Sequence, residues 1–204
     1  MIRIVDYGVG NIQAFVTMFK RLDIPAQRAR SPIDLDDATR LILPGVGAFD
    51  HAMNRLNQSG MRDALDALVI ERKVPVLGVC VGMQMLASGS DEGVLPGLSW
   101  VPGRVRAFAS TPSAAQLPMP HMGWNDLKVT PNARLFTGFE PHPRFYFLHS
   151  YFFDCEDQSD VAATASYGLE FACTVTRGHI HGVQCHPEKS HRFGAQLLRN
   201  FAEL

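Results

Sequence analysis

Residues 74–84 read Val74-Pro75-Val76-Leu77-Gly78-Val79-Cys80-Val81-Gly82-Met83-Gln84. An apolar run ends in Cys80, which stands between Gly78 and Gly82, and a helix-like pattern follows. A strand that reverses into a helix within about one residue needs small neighbours, because the strained turn lies close to the adjacent strands. The spacing therefore predicts a nucleophile elbow, which holds the sulfur above the carboxyl edge of a sheet. The first turn of the following helix would favour its thiolate form.

Cys80 taken alone has two interpretations. Free cysteine is among the most buried residue types, so a small core residue at a strand end explains it as well as a nucleophile does. The later segment Gly182-Val183-Gln184-Cys185-His186-Pro187-Glu188-Lys189-Ser190 favours the nucleophile, since it supplies a histidine and a glutamate two residues apart. A thiol, an imidazole base and a carboxylate that orients the imidazole form a nucleophilic triad. We therefore predict that Cys80, His186 and Glu188 are the catalytic residues.

Composition and charge indicate a compact enzyme. The 204 residues suit a single α/β domain spanning 1–204. A formal net charge of −1 provides no basic surface for nucleic acid or anionic membranes, so we expect neither as a partner. No run of about 18 apolar residues occurs, and the first residues already have a strand pattern, so we expect no signal peptide and a cytoplasmic protein. The four cysteines form no regular framework, which favours reduced thiols.

No cofactor and no metal are expected. Gly8-Val9-Gly10 follows a strand pattern, but the third glycine of a dinucleotide-binding fingerprint is missing. His179 and His181 alternate along one predicted strand without an apparent third ligand, so we interpret both as exposed structural histidines. His121 lacks the nearby carboxylate that His186 has, and it is not our choice of base.

Alternating strand and helix patterns predict an α/β fold of three layers, with a mostly parallel central sheet and helices on both faces. Ligands then bind at the carboxyl ends of the strands, where Cys80 lies. The aromatic segment 144–153 is predicted as one strand, and Gly123-Trp124-Asn125 as a turn. Strands at 171–176 and 179–184 are predicted to form a hairpin that delivers His186.

Pro44-Gly45-Val46-Gly47 follows a predicted buried strand and has two interpretations. Two glycines after a strand can simply form a tight turn. Alternatively, backbone N–H groups freed here help to form an oxyanion hole, because acyl transfer places negative charge on the former carbonyl oxygen. Gln84 also has two interpretations, since a residue on the first turn after the elbow can line a substrate pocket or cap the helix.

These motifs together resemble the class I, or triad, glutamine amidotransferases. The elbow and the His186-Pro187-Glu188 segment carry the resemblance. Three further segments are similar to the glutaminase subunits of imidazole glycerol phosphate synthases, and the similarity extends over nearly the whole chain. These segments are Pro44-Gly45-Val46-Gly47, Pro120-His121-Met122-Gly123-Trp124-Asn125 and His149-Ser150-Tyr151.

The resemblance implies roles for further residues. In similar enzymes the loop at Val46 and Gly47 gives one oxyanion donor, after a rotation in some relatives, and the residue after the cysteine, here Val81, gives the other. The main chain around His149, Ser150 and Tyr151 would hold the α-carboxylate of glutamine. Partner-facing positions would be Asn11, Trp124, Tyr146 and Lys189.

The resemblance also implies a partner. A glutaminase that released ammonia into water would waste glutamine, and this chain has no evident site for an acceptor. In the resembled enzyme the acceptor site belongs to a (β/α)8-barrel cyclase of histidine biosynthesis, which forms a heterodimer with the glutaminase.

Several positions depart from the pattern of the histidine enzyme. Val81 stands where leucine is usual, Cys185 where phenylalanine is usual, and Ser190-His191-Arg192-Phe193-Gly194 follows the triad. These residues resemble a paralogous glutaminase that supplies ammonia for amidino groups on bacterial surface sugars, and this alternative stays open. A cysteine peptidase of similar fold is a distant third, because it has no need for the Val46 loop or for Gln84.

Overall fold

The computed structural model of the chain describes residues 1–131 and 133–204. The strands in these ranges are β1 (Ile2–Val5), β2 (Ala26–Ala29), β3 (Arg40–Gly45), β4 (Val76–Cys80), β5 (Gly103–Ala107), β6 (His121–Asp126), β7 (Lys128–Val129), β8 (Arg144–His149), β9 (Tyr151–Cys155), β10 (Val161–Tyr167), β11 (Leu169–Arg177) and β12 (Ile180–Val183). The α-helices are α1 (Ile12–Arg21), α2 (Phe49–Gln58), α3 (Arg62–Asp66), α4 (Val81–Gln84) and α5 (His191–Glu203).

Helix α1 shows how the sequence sets these elements. Ile12, Phe15 and Phe19 recur at helical spacing and are buried against the sheet. The side chain of Asn11 accepts a hydrogen bond from the backbone N–H of Ala14 at 3.3 Å and so caps the first turn. Within residues 1–131 and 133–204, no helix has both the length and the apolar character needed to cross a lipid bilayer.

The main sheet has ten strands, and its parallel half carries the elbow. Along the main path the order is β2-β1-β3-β4-β12-β11-β10-β7. The first five strands of this path are parallel to their neighbours. From β12 onward the pairing is antiparallel, and β9 and β5 extend the sheet from β11. Strands β6 and β8 form a separate antiparallel pair.

The order of the parallel strands explains the three layers. The chain moves from β1 to β2 in one direction across the sheet, and from β3 to β4 in the other. Since parallel crossovers are right-handed, α1 and α2 cover opposite faces. The predicted α/β fold is confirmed, with a large sheet whose parallel strands carry the elbow.

Three glycines allow the elbow to pack tightly against its neighbours. A Cβ atom on Gly78 would lie 2.6 Å from the carbonyl oxygen of Gly82. A Cβ atom on Gly82 would overlap the carbonyl oxygen of Leu43, and one on Gly45 would overlap the backbone nitrogen of Gly82. Strands β3 and β4 and the start of α4 therefore meet through bare backbone, with Gly45 paired directly to Cys80.

Two local predictions were wrong. The aromatic segment 144–153 is not one strand, because the chain leaves the β6–β8 pair at Ser150 and then joins β5 in the main sheet. Gly123, Trp124 and Asn125 form the middle of β6 rather than a turn, since each pairs with a residue of β8. In both cases the pairing partner decides the conformation, and residue propensities do not reveal that partner. The predicted hairpin that precedes His186 is confirmed as β11 and β12.

We expect Gly82→Ala to destabilise the fold more than an alanine at a roomy glycine. Overpacking against the Leu43 carbonyl should lower the free energy of unfolding by about 3 kcal/mol. Gly60 is the control, because a Cβ atom there meets nothing within 4 Å although its φ is +73°. Gly60→Ala should cost only about 1 kcal/mol, from backbone strain. Urea unfolding measures both, and equal losses would contradict the tight packing at the elbow.

Candidate active site

Cys80 lies at the turn from β4 into α4 with the geometry of an elbow. Its backbone has φ 56° and ψ −115°, a strained conformation for a residue other than glycine. The residue is only 4% exposed. Val81 begins α4 directly after it, so the Val81 N–H is one of the helix's first-turn donors. The turn therefore brings the Cys80 sulfur and the Val81 N–H, a donor without a partner inside the helix, to the same edge of the sheet.

His186 and Glu188 form a tight buried pair. His186 Nδ1 lies 2.8 Å from Glu188 Oε1, and the side chains are 5% and 4% exposed. The backbone N–H of His186 donates to the carbonyl of Tyr146 at 2.9 Å. The hydroxyl of Ser190 donates to the carbonyl of His186 at 2.6 Å, which closes the turn. Because Nδ1 is bound by Glu188, Nε2 is left for the cysteine.

Electrostatics favour a charged imidazole at this position. Burial lowers the pKa of His186, but hydrogen bonds and charge from Cys80 and Glu188 raise it by more. The net pKa lies well above its ordinary value, because two anionic partners offset the lost hydration. The arrangement can therefore hold a thiolate beside an imidazolium, which is the reactive form of a cysteine nucleophile.

A cavity of about 300 Å³ opens above these side chains. It brings together ten of the residues predicted for the site: Val46, Gly47, Cys80, Val81, Gln84, His149, Ser150, Tyr151, His186 and Lys189. Glu92, Pro120 and Leu148 also line it and were not predicted. Glu188 lies behind His186 rather than in the cavity wall, as a residue that orients the base should.

The sequence matches the family described as Glutamine amidotransferase class-I over residues 3–204. The chain belongs to this family. It is 61% identical over 204 residues to the imidazole glycerol phosphate synthase subunit HisH of Bdellovibrio bacteriovorus, and the match covers 100% of both chains. It is 50% identical to the subunit of the same name from Leptospira interrogans, again over 100% of both. The resemblance inferred from the motifs is confirmed.

Solved structures show the same fold. The crystal structure of a glutamine amidotransferase superposes with a TM-score of 0.76, covering 99% of this chain and 97% of the other, at 21% identity. At that identity the likeness concerns the fold alone. Family membership makes the chain an enzyme of the glutamine amidotransferase type.

The loop predicted to complete the oxyanion hole of this amidotransferase borders the cavity. Val46 is 41% exposed, and Gly47 has φ +79° with nothing within 4 Å of a Cβ atom placed on it. Gly45, directly before the loop, pairs with Cys80 in the sheet. The loop is therefore anchored at the nucleophile on one side and open to solvent on the other.

Gln84 makes interactions of a pocket residue and none of a helix cap. Its amide nitrogen donates to the carbonyl of Tyr151 at 3.3 Å and to Gln184 Oε1 at 3.0 Å. Gln184, which sequence reasoning missed, is fully buried, and its amide donates to Cys80 Sγ at 3.8 Å. Its position two residues before His186 was the only signal that could have found it.

Three of the four predicted partner-facing residues cluster beside the cavity. Trp124 is 40% exposed, and its ring stacks on that of His191 at 5.5 Å and packs edge-on against Tyr146 at 6.3 Å. Lys189 Nζ lies 5.7 Å from the centre of the Tyr146 ring. Asn11 is on a different element, where its side chain caps α1.

His121 and His149 are buried and adjacent. Burial lowers the pKa of His121 to about 4 and is the main cause that lowers the pKa of His149 to about 3. Both rings are therefore neutral at pH 7. This agrees with the prediction that His186, and not His121, is the base.

The expectation that His179 and His181 are both exposed was wrong. His179 is half-buried, with its Nε2 2.6 Å from the carbonyl oxygen of Val69, and the departure is larger for His181. This residue is 5% exposed, and its Nδ1 lies 3.0 Å from the hydroxyl of Thr176. The neighbouring strands bury this face of β12, which its sequence alone does not indicate. In residues 1–131 and 133–204 there is no group of three or more His, Cys, Asp and Glu side chains arranged to hold a metal.

Alkylation of Cys80 tests the electrostatic coupling of the triad. We expect Glu188→Gln to slow its reaction with iodoacetamide at neutral pH by about tenfold, because lowering the pKa of His186 by one unit makes proton transfer from the thiol to the imidazole about tenfold less favourable. The sign follows from the raised pKa, because removing the carboxylate leaves less imidazolium to stabilise the thiolate. Mass spectrometry of the modified peptide across pH measures the rate.

The other thiols should not interfere, because burial raises the pKa of Cys155 to about 12 and also raises those of Cys173 and Cys185. Glu71→Gln, on an exposed position, is the matched control. An unchanged rate in Glu188→Gln would contradict the coupling.

Proposed function

We propose that this chain is the glutaminase subunit of an imidazole glycerol phosphate synthase, which hydrolyses glutamine and passes the ammonia to a cyclase in histidine biosynthesis. The observation that carries the proposal is a buried set in which Cys80 and His186 face one cavity and Glu188 pairs with His186 from behind. The names of the two relatives quoted above agree with it, since both are imidazole glycerol phosphate synthase subunits. We treat 1–204 as one domain of a cytoplasmic enzyme, because four free cysteines suit a reducing compartment.

The chemistry follows the roles of the three side chains. Cys80 Sγ attacks the side-chain amide carbon of glutamine, while His186 takes the thiol proton and delivers it to the departing nitrogen, which leaves as ammonia. A thioester remains on Cys80. Water then adds to that carbon as His186 takes its proton, and the carbon–sulfur bond breaks to give glutamate and the free thiol. Glu188 holds the tautomer and orientation of His186 throughout.

The cavity wall suggests how glutamine is held. Negative charge that develops on the amide oxygen would be met by the N–H of Val81 and by N–H groups of the loop at Val46 and Gly47. The main chain at His149, Ser150 and Tyr151 would receive the α-carboxylate. Glu92 is a carboxylate in the cavity lining, and it suits the α-ammonium group. Its Oε2 already accepts from the backbone N–H of Phe49 at 2.8 Å, which fixes its position.

A partner is part of the proposal, because the ammonia needs an acceptor. We propose a heterodimer with a (β/α)8-barrel cyclase that docks over the cavity mouth, against Trp124, Tyr146 and Lys189, and reaches Asn11. Trp124 and its neighbour Met122 are 40% and 65% exposed, which is unusual for large apolar side chains. Val81 and Cys185 suggested the alternative, a glutaminase that supplies ammonia for amidino sugars. The names of the quoted relatives favour the cyclase partner over that alternative.

Glutamate release from glutamine tests the proposal. The purified chain alone should be slow, and adding a histidine-pathway cyclase with its phosphoribulosyl ligand should activate it strongly. Cys80→Ala should abolish release, a loss of roughly 1000-fold or more as for other nucleophile removals. Cys155→Ala, which removes a thiol outside the cavity, should retain activity. Full turnover by Cys80→Ala would refute the mechanism, and activation only by a surface-sugar synthetase partner would favour the alternative.

Partner binding tests the proposed interface separately. Trp124→Ala should weaken the complex about 30-fold, since a buried aromatic anchor is worth about 2 kcal/mol or more when truncated. Ile33→Ala is the matched control, because Ile33 is a large apolar side chain, 75% exposed, on another part of the surface. Calorimetric titration with the cyclase measures both dissociation constants. Equal affinities for the two variants would show that the partner docks elsewhere.

A further inference from the structure

A chain of hydrogen bonds runs from strand β6 to the wall of the cavity. Asn125 Nδ2 lies 3.3 Å from His121 Nε2, and His121 Nδ1 lies 2.9 Å from His149 Nε2. His149 Nδ1 in turn lies 2.7 Å from the carbonyl oxygen of Tyr151. Asn125 and His121 do not line the cavity, but Tyr151 and His149 do. The chain therefore links residues outside the site to its wall.

The direction of every bond in this chain can be assigned. A carbonyl oxygen only accepts, so His149 Nδ1 must carry the hydrogen. Both rings are neutral at pH 7 because burial lowers their pKa values, so His149 Nε2 is an acceptor and His121 Nδ1 is its donor. His121 Nε2 then accepts from the Asn125 amide, whose nitrogen also donates to the carbonyl of Ser166 at 2.9 Å. Both rings thus hold their single hydrogen on Nδ1.

The same network continues from Tyr151 to the nucleophile. The Tyr151 carbonyl accepts a second hydrogen bond from Gln84, whose amide nitrogen also donates to the oxygen of Gln184. The amide nitrogen of Gln184 donates to Cys80 Sγ. The Tyr151 carbonyl fixes the orientation of the Gln84 amide, and the Gln84 N–H in turn fixes that of Gln184, whose nitrogen then faces the sulfur.

We propose that His121 and Asn125 are positioning residues for the glutaminase site, acting through the Nδ1–H tautomer of His149 on the Tyr151 carbonyl and, through Gln84 and Gln184, on the Cys80 sulfur. This inference rests on the proposed function for its kinetic consequences. It concerns side chains that neither touch the substrate cavity nor belong to the triad.

Packing alone does not account for these polar groups. The His121 ring stacks between Tyr167, at 4.3 Å, and Phe147, at 5.1 Å, and a phenylalanine ring would fill that slot equally well. What an imidazole adds is a donor aimed at His149, and the hydrogen bond at one ring nitrogen sets which tautomer is present. The titratable groups that face the two rings are the rings themselves, Tyr167 and His186.

Ring-nitrogen NMR tests the assignment without any turnover. The full chain, labelled with ¹⁵N-histidine, should show two neutral rings with hydrogen on Nδ1 down to about pH 6, where a free imidazole is largely protonated. His121→Phe should remove one of these two signal sets and shift the other, which assigns both. A hydrogen on Nε2 of either ring, or protonation of either ring at that pH, would overturn the relay.

A crossed pair of variants separates positioning from packing. His121→Phe keeps the flat ring and loses the donor, whereas His121→Gln loses the ring and keeps a donor. Positioning predicts that kcat/KM for glutamine, measured with the cyclase partner, falls about tenfold in His121→Phe, mainly through KM, as expected for one lost hydrogen bond. His121→Gln should stay within about threefold of the parent. The opposite ranking would overturn the proposal.

Two further measurements keep the result interpretable. Asn125→Ala, which removes the donor to His121 together with the bond to the Ser166 carbonyl, replaces the crossed pair if those variants fail to fold. Asn54→Ala on the exposed face of α2 is its control. A raised KM in Asn125→Ala alone supports the relay, and equal kinetics in the two asparagine variants contradicts it. If the parent turns over no glutamine with any partner, the proposed function fails, and the NMR result with the alkylation rate of Cys80 still decides the relay.

Discussion

The site depends on the contact between bare backbone at the end of β4 and the neighbouring strand. Gly82 lies so close to the Leu43 carbonyl that no side chain fits between them. This approach fixes three things together. It turns the chain sharply at Cys80, presents the Val81 N–H at the sheet edge, and sets Gly45, and hence the Val46 loop, directly beside the nucleophile. The proposed nucleophile and the proposed oxyanion donors thus share one steric origin.

The second constraint is electrostatic, and the histidines of this chain show it by contrast. His186, His121 and His149 are all buried, yet the pKa of His186 is raised while those of the other two are lowered. Desolvation acts on all three in the same direction. The difference is that His186 has Glu188 and the Cys80 sulfur against it, whereas His121 and His149 have each other. The same side chain is therefore suited to act as a base in one place and as a fixed neutral donor in the other, which are the roles proposed above.

The sequence predicts what is local and misses what depends on distant pairing. The turn at Cys80 and the pairing of His186 with Glu188 followed from local spacing, since glycines flank the cysteine and the histidine and glutamate are two residues apart. The break at Ser150 did not, because the residues on both sides have the same strand propensity and differ only in their partners, β6 and β5. Gln184 contacts Cys80 across 104 residues, and no feature of either segment alone indicates that bond. Glu92 enters the cavity from a loop whose composition carries no signal.

Strand β6 combines the two functions proposed for this region, partner docking and positioning of the site. It can do so because successive side chains of a strand point to opposite faces. Met122 and Trp124 point outward, and His121 on the same strand is buried against His149. A rigid strand has no flexible segment between its faces, so a partner that shifts Trp124 also shifts Asn125 and the ring of His121. That shift would be felt at the Tyr151 carbonyl through hydrogen bonds of fixed direction, since none of the donors in the chain can reverse without leaving a buried group unpaired. If both proposals hold, the geometry of glutamine binding and the geometry of docking are coupled by one strand.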